Sequence, residues 1–431
     1  MPSLTLQSVE KAAPDGASLA AARRLAKPGP WSETGSTDNL VWGKCQGSGR
    51  EPYQVSIDLT GPAYRCTCPS RKFPCKHALA LMMLWVKGDG SVSVAEFTPD
   101  FATDLAAGRA RQAAEDAAPK KPVDPQARQR RIADRTALMT AGLEEFERWL
   151  TDLVRGGLAQ AGQQPFSWWE RTAARLVDAQ LPGLAERVRR MSYREARGEA
   201  GTGLFLELGR WWTAARAWQA FDRLDEASRG DLRVVLGWNR ASEDVRNTDT
   251  ITDDWEVLGA YRSDDGTISQ QRTWLRGSRT GELVQVLDFG SQGRPLPIAR
   301  LAGSVLQCSL SRYPGHQPRR ALFAEEPIAL DRSAALGAGG SIRTARDSLI
   351  RGWSENPWLE RIPATITGAL RLTDDQTGCL QDESGDRVLL HSDPINLLAL
   401  SGGHPITVFG ELDHDRFRAL SAELDGELVV P

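Results

Sequence analysis

The sequence predicts an α+β multidomain fold: a small ββα module at the N-terminus, a central all-helical domain and a C-terminal barrel-like or sandwich-like β-rich region. Three observations support this division. Strand-like and helix-like segments flank a cluster of cysteines in residues 1–100, helical periodicity dominates residues 134–247, and short alternating runs fill residues 248–431. A chain of 431 residues is long enough for several domains, each with its own core.

Residues 1–100 are predicted to form the small module. The segments LVWGKC and YQVSIDL are rich in β-branched and aromatic residues and are separated by glycines and a proline, which predicts a strand hairpin. The run HALALMMLWVKG consists of strong helix formers and reaches a glycine at Gly88. We therefore expect a helix that ends just before Gly88.

A change in composition separates this module from the helical domain. Residues 101–133 are rich in Ala, Lys, Arg and Pro and offer little apolar surface to bury, which predicts a basic, solvent-exposed linker. In residues 134–247, GLEEFERWLTDLV and later segments carry apolar residues at helical spacing. We expect these helices to pack on one another, with the tryptophans of this region in their core.

The C-terminal region, residues 248–431, is predicted to be rich in β-strands. Alternating runs such as DWEVLGAY, GELVQVLDF and PITVFGELD are separated by Asp-Gly and Gly turns. Several short strands with tight turns favour a small barrel or sandwich, in one or two subdomains, and the rhythm also fits an OB-fold.

Composition limits the class of protein. The net charge of −3 and the charged fraction of 25% give no overall attraction to nucleic acid or to acidic membranes. The N-terminus lacks the features of a secretory signal, and the longest apolar run, residues 78–86, is far shorter than the roughly 20 residues of a membrane-spanning helix. We expect a cytoplasmic protein that does not cross a membrane.

Three of the six cysteines and one histidine form two close pairs, Cys-x-Cys and Cys-x-His, separated by six residues. The four residues are Cys66, Cys68, Cys75 and His77. Zinc prefers four tetrahedral ligands of thiolate sulfur and imidazole nitrogen, and residues i and i+2 of an extended segment point to the same side. Because no acidic residue lies between positions 64 and 87, a structural zinc site is favoured over a catalytic one.

Basic side chains surround this cluster. They are Arg65, Arg71, Lys72 and Lys76. They are candidates for contacts with the phosphates of a nucleic acid, or they balance the negative charge of a zinc ion bound by three thiolates. The sequence leaves both interpretations open.

The pattern of CTC at 66–68 and CKH at 75–77, with strands before it and an apolar helix after it, resembles the SWIM-type zinc fingers. This resemblance implies a Zn²⁺ ion ligated by the four residues in a ββα arrangement. The flanking segments are similar to those of bacterial SWIM-containing proteins, which are often encoded near MoxR-type ATPases. Other members of the family use the finger to bind DNA or protein.

The sequence therefore predicts a zinc-binding, non-catalytic adaptor for a protein partner, such as a MoxR-type ATPase system, or for a nucleic-acid partner. Two alternatives remain: a DNA- or RNA-binding protein that uses the basic surface around the zinc site, and an enzyme with an unrecognised site in the β-rich half. No local motif identifies catalytic residues.

Overall fold

The structure is a computed structural model. It describes residues 6, 9, 13, 16–47, 51–59, 63–68, 74–95, 97–102, 125–161, 164–196, 201–238, 240–246, 248–264, 269–290, 296, 300–373, 377–391 and 394–431.

The N-terminal module is a four-stranded antiparallel sheet covered by helices, with strand order β1-β2-β3-β4. Its elements are α1 (Gly16–Leu25), β1 (Trp31–Ser36), β2 (Leu40–Cys45), β3 (Tyr53–Asp58), β4 (Ala63–Cys66) and α2 (Lys76–Lys87). The two strands of the predicted hairpin are β2 and β3, which pair antiparallel, and the predicted helix is α2; β4, which ends at Cys66, was not predicted. The helix α2 is apolar on most sides, and Leu79, Leu81 and Met83 pack with Val55 and Ile57 in one core. Coverage by both the sheet and α1 explains how so apolar a helix is buried.

The central domain consists of packed helices. They are α3 (Pro125–Gly156), α4 (Leu158–Ala161), α5 (Phe166–Asp178), α6 (Pro182–Ala196), α7 (Gly201–Gln219), a 3₁₀ turn (Phe221–Arg223), α8 (Glu226–Leu236) and α9 (Ser242–Val245). The helix α3 begins within the range predicted as linker. Trp169 and Trp211 are fully buried in the core of the domain, whereas Trp212 is 41% exposed.

The β-rich region contains two barrels. The first comprises β5 (Thr250–Asp264), β6 (Ser269–Gly277), β7 (Leu283–Gly290), β8 (Ser304–Arg312), β9 (Arg319–Phe323) and β10 (Ile328–Ser333). The second, preceded by α10 (Ile342–Glu355), comprises β11 (Ile362–Leu372), β12 (Gly378–Gln381), β13 (Arg387–Leu390), α11 (Ile395–Ser401), β14 (Ile406–Leu412), β15 (Arg416–Leu424) and β16 (Glu427–Val429).

In each barrel five strands close in the order 1-2-3-5-4-1, with the third and fifth strands parallel. This is the topology of an OB-fold, and the helix α11 between the third and fourth strands of the second barrel also fits that fold. The predicted barrel-like architecture is thus confirmed. The sixth strand of each barrel extends the sheet outside the ring of five: β10 pairs with β8, and β16 pairs with β15.

The helical domain and the barrels contact one another. Leu258 and Trp274 of the first barrel share a small core with Phe409 and Leu420 of the second. Trp358, between α10 and β11, packs into the core of the helical domain. No helix in the described ranges is both long enough and apolar enough to span a membrane.

Candidate metal centre

The two cysteine-containing pairs are held by different elements. Cys66 is the last residue of β4 and lies opposite Val55 of β3. The pairing continues past the strand, because the amide of Thr67 donates to the carbonyl oxygen of Gln54 at 3.1 Å and the amide of Gln54 donates to the Thr67 hydroxyl at 3.0 Å. This extended backbone presents Cys66 and Cys68 on one side, as the spacing predicts.

The second pair lies at the start of α2. Cys75 is the N-cap residue with extended backbone angles, and its sulfur accepts a hydrogen bond from the amide of Ala78 at 3.5 Å. Thus the cysteine takes the role that Ser or Asp usually plays at a helix start. His77 is the second residue of α2, and its imidazole lies near the sulfur atoms of the hairpin cysteines. Both Cys75 and His77 are buried.

The four donor atoms fit a zinc ion. They all lie within 4.8 Å of one another, and Cys66 Sγ is 3.7 Å from His77 Nδ1. Zn–S and Zn–N bonds of about 2.3 and 2.0 Å at a tetrahedral angle require a sulfur–nitrogen separation of about 3.5 Å. Cys66, Cys68, Cys75 and His77 are therefore positioned to bind a metal ion, and their chemistry is that of a closed zinc site.

The thiols of the cluster need a cation in order to ionise together. Hydrogen bonds with Cys68 and Cys75, followed by burial, raise the pKa of Cys66 far above its usual range. The hydrogen bond with Cys66 lowers the pKa of Cys75, but the contact with Cys68 and burial outweigh it and raise that pKa to about 11. The hydrogen bond from the amide of Ala78 at the start of α2 also lowers the pKa of Cys75, but its effect is smaller than that of Cys68 and burial.

The predicted basic residues are only partly described. Arg65, on β4, is half-buried, and Lys76, the first residue of α2, is exposed. Arg71 and Lys72 lie outside the described residues. In the sequence, Arg65 directly precedes Cys66, and Lys76 lies between Cys75 and His77.

The sequence does not reveal the aromatic ring that supports His77. The ring of Tyr53 lies 5.0 Å from the imidazole, measured between ring centroids, at a tilt of 40°. Gly47 makes room for this ring, since a Cβ atom at Gly47 would lie 2.3 Å from the Tyr53 side chain. Because Tyr53 is far from His77 in sequence, only the hairpin predicted over β3 could have suggested that the two residues meet.

The remaining cysteines stand outside this donor set. Cys45, Cys308 and Cys379 are all buried, as free cysteines usually are. Burial raises the pKa of the Cys45 thiol to about 11 and that of Cys308 to about 12. In the described part of the chain, no second group of three or more metal-binding side chains comes together.

Comparison with known families agrees with this geometry. The family model of the SWIM zinc finger matches residues 53–85, and that of the SWIM-associated four-helix bundle domain matches residues 134–236. No curated protein and no solved structure matches the chain. The first match contains β3, β4 and the four donors, and the second contains most of the helical domain. The chain therefore contains a SWIM zinc finger that is followed by a SWIM-associated four-helix bundle domain.

Proposed function

We propose that this protein is a non-catalytic adaptor in which Cys66, Cys68, Cys75 and His77 bind one structural Zn²⁺. The observation that carries this proposal is the convergence of four donors from two elements within 4.8 Å. Zinc would cross-link the β3–β4 hairpin to the start of α2, and four protein ligands would leave no coordination position for a reactant. The module then offers a partner a fixed surface.

Exposed apolar side chains on the module favour a protein partner. Val94 is 88% exposed and Phe97 is 85% exposed. Val94 forms a parallel bridge with Ser36 at the edge of the sheet, so its backbone position is set by the module. A protein surface that covers Val94 and Phe97 removes apolar area from water. A MoxR-type ATPase is the candidate that the family resemblance supplies.

Nucleic acid is the second candidate partner of the module. Lys76 is exposed at the start of α2, and Arg65 lies on the adjacent strand. Together with Arg71 and Lys72 they are proposed to contact phosphates.

Removal of a ligand tests the zinc assignment. We expect Cys66→Ser and His77→Ala to lose stoichiometric zinc and to unfold residues 35–90 while the helical domain stays folded, because metal binding and local folding are coupled. Elemental analysis measures the zinc, and hydrogen exchange maps the unfolded segment. Cys308→Ser, a buried cysteine in the first barrel, is the matched control and should keep its zinc. Stoichiometric zinc in both ligand variants would contradict the assignment.

Affinity purification from the native host, with and without nuclease and at two salt concentrations, separates the two partner classes. We expect specific proteins to remain after nuclease treatment and to disappear from the double variant Val94→Asp, Phe97→Asp. Recovery that requires intact nucleic acid and is lost in Arg71→Glu, Lys72→Glu would instead support the second candidate.

A further inference from the structure

Arginine and aromatic side chains alternate in a continuous stack in the helical domain. The guanidinium carbon of Arg135 lies 5.0 Å from the ring centroid of Trp238, and that of Arg233 lies 5.5 Å from the same ring. Arg233 is also 5.1 Å from the ring of Phe221, which Arg229 approaches to 5.8 Å. We call this set the arginine stack. It joins α3, the 3₁₀ turn, α8 and the segment that follows α8.

Among the described residues, none of the three arginines of the arginine stack forms an ion pair with a carboxylate. The Nε atoms of Arg135 and Arg229 are buried without an acceptor. Arg229 donates through Nη2 to the backbone carbonyl oxygen of Asp222 at 3.1 Å. Burial, and then repulsion from Arg240 and Arg229, lower the pKa of Arg233. Holding three like charges together in this way costs free energy unless an anion joins them.

The acidic residues near the stack are engaged elsewhere. Asp225 caps α8, where its carboxylate accepts hydrogen bonds from the amide and hydroxyl of Ser228. Asp231 accepts a hydrogen bond from His316 at 2.7 Å. Glu226 is 3.5 Å from Arg240, a further arginine beside the stack. None of these carboxylates pairs directly with a guanidinium group of the stack, although Glu226 offsets part of the charge of Arg233.

Positive charge continues from the stack along α3. Arg131 is exposed, and it lies one helical turn before Arg135, so both arginines share a face of the helix. Arg130, next to it, is exposed as well. The basic end of the predicted linker thus leads into the arginine stack.

The geometry selects the chemistry of the ligand. The faces of Trp238 are approached by two guanidinium groups, so this ring is not free to stack on a base. The three arginines are half-buried, and because the Nε atoms of Arg135 and Arg229 are buried, the stack offers a ligand the Nη groups of its arginines. These N–H groups match the oxygens of a phosphate. Contacts to phosphates position a nucleic acid but do not read its sequence.

We propose that the arginine stack binds the phosphate backbone of a nucleic acid without sequence preference. The proposal goes beyond the adaptor function, since it concerns the helical domain and does not require the zinc centre. DNA and RNA, in single or double strands, offer the same phosphate chemistry, and the arms of the test distinguish them.

The test is fluorescence anisotropy with the zinc-loaded full-length protein and mixed-sequence oligonucleotides of single-stranded DNA, single-stranded RNA and duplex DNA. We expect binding of at least one of them that weakens steeply between about 50 and about 200 mM salt. The double variant Arg135→Gln, Arg233→Gln should bind at least tenfold more weakly, and its plot of log affinity against log salt should be flatter by about 1.4 to 1.8, as expected for two lost phosphate contacts. Arg175→Gln, at a 66% exposed position of the same domain, is the control and should change neither quantity.

A change in folding is separated from a change in contacts by a second variant. Arg135→Lys with Arg233→Lys keeps both charges but loses the planar groups, and it should retain the salt dependence of the wild type. The proposal is overturned if no oligonucleotide binds at the lower salt concentration, if the Gln variant keeps the wild-type affinity and salt dependence, or if polyglutamate competes as well as the oligonucleotide does. The last result would assign the stack to acidic proteins.

Discussion

At the scale of single residues, the metal centre depends on the spacing of its four donors in the sequence and on a contact between Tyr53 and His77 that this spacing does not reveal. Cys66, Cys68, Cys75 and His77 lie in one short stretch, so their spacing alone predicted that they share a metal. The ring of Tyr53, on strand β3, packs against the imidazole of His77 on helix α2, and no spacing rule connects the two residues. The donor set was therefore predictable, and the packing that orients it was not.

Tyr53 should affect how tightly zinc is held. We expect Tyr53→Ala to weaken zinc affinity by about tenfold, the lower end of the effect of residues that orient a metal ligand, because the imidazole of His77 loses its packing partner. Tyr53→Phe keeps the ring and should bind zinc as the wild type does. Competition with a chromophoric chelator measures both variants, and an equal loss in Phe and Ala would show that the hydroxyl, and not the ring, matters.

At the scale of elements, the segment between α10 and β11 attaches the helical domain to the second barrel. Trp358 is buried among residues of the helical core, and its indole N–H donates to the carbonyl oxygen of Arg210 at 2.9 Å. In return, Arg210 donates through Nε to the carbonyl oxygen of Pro357 at 3.1 Å. Trp358 thus lies in the segment that leads into the second barrel, but its side chain packs in the core of the helical domain.

Trp358→Ala should destabilise the helical domain strongly. Removal of a buried Trp side chain leaves a cavity and costs about 3 to 5 kcal/mol. Trp212→Ala, at an exposed position of α7, is the matched control and should cost less than about 1 kcal/mol. Urea denaturation followed by circular dichroism at the helical signal compares them, and equal midpoints would show that Trp358 does not support the helical core.

Elements were predictable where the signal is local. The helix α2 ends at Lys87, and Gly88 follows in a left-handed conformation with φ of 63°, as the glycine after the apolar run predicts. The start of α3 at Pro125 was not expected, because its first turns are exposed and carry arginines instead of an apolar stripe. The closure of each barrel depends on a parallel pair of strands that are distant in sequence, such as β7 with β9. The alternation of apolar and polar residues along either strand does not indicate which strand it pairs with.

At the scale of the whole molecule, a line of alternating charges runs from the helical domain into both barrels. Each ion pair shares a residue with the next, over distances of 2.6 to 3.7 Å. In order, the line consists of Arg210, Glu207, Arg187, Glu360, Arg361, Glu411 and Arg272. Because its members come from α6, α7, the segment before β11, β14 and β6, it links the helical domain to both barrels of the β-rich region.

The last acid of this line, Glu411, is the most buried and is the best place to test the coupling. Its carboxylate accepts hydrogen bonds from Arg272 at 2.8 and 2.7 Å and from the indole of Trp274 at 3.0 Å. Burial alone would raise the pKa of Glu411, but the two contacts and the nearby Arg361 outweigh it, and the pKa lies below its usual range. The charged form of Glu411 is therefore the one that stabilises the fold.

We expect Glu411→Gln to lower the free energy of unfolding by about 3 kcal/mol near neutral pH, since it leaves Arg272 buried without its counter-charge. A carboxyl group whose pKa is lowered by folding stabilises the fold at any pH above its pKa in the unfolded chain, which is about 4.3 for Glu. This contribution is lost as the pH falls below about 4.3 toward the pKa of the folded state. The difference between wild type and variant should therefore shrink as the pH is lowered from about 7 to about 3. Urea midpoints of the β-rich region, followed by near-ultraviolet circular dichroism, measure this difference.

The control variant is Glu145→Gln, which breaks an exposed pair with Arg175 and should cost less than about 1 kcal/mol at every pH. A difference for Glu411→Gln that stays constant with pH would mean that the amide disturbs packing and that the charge does not join the barrels.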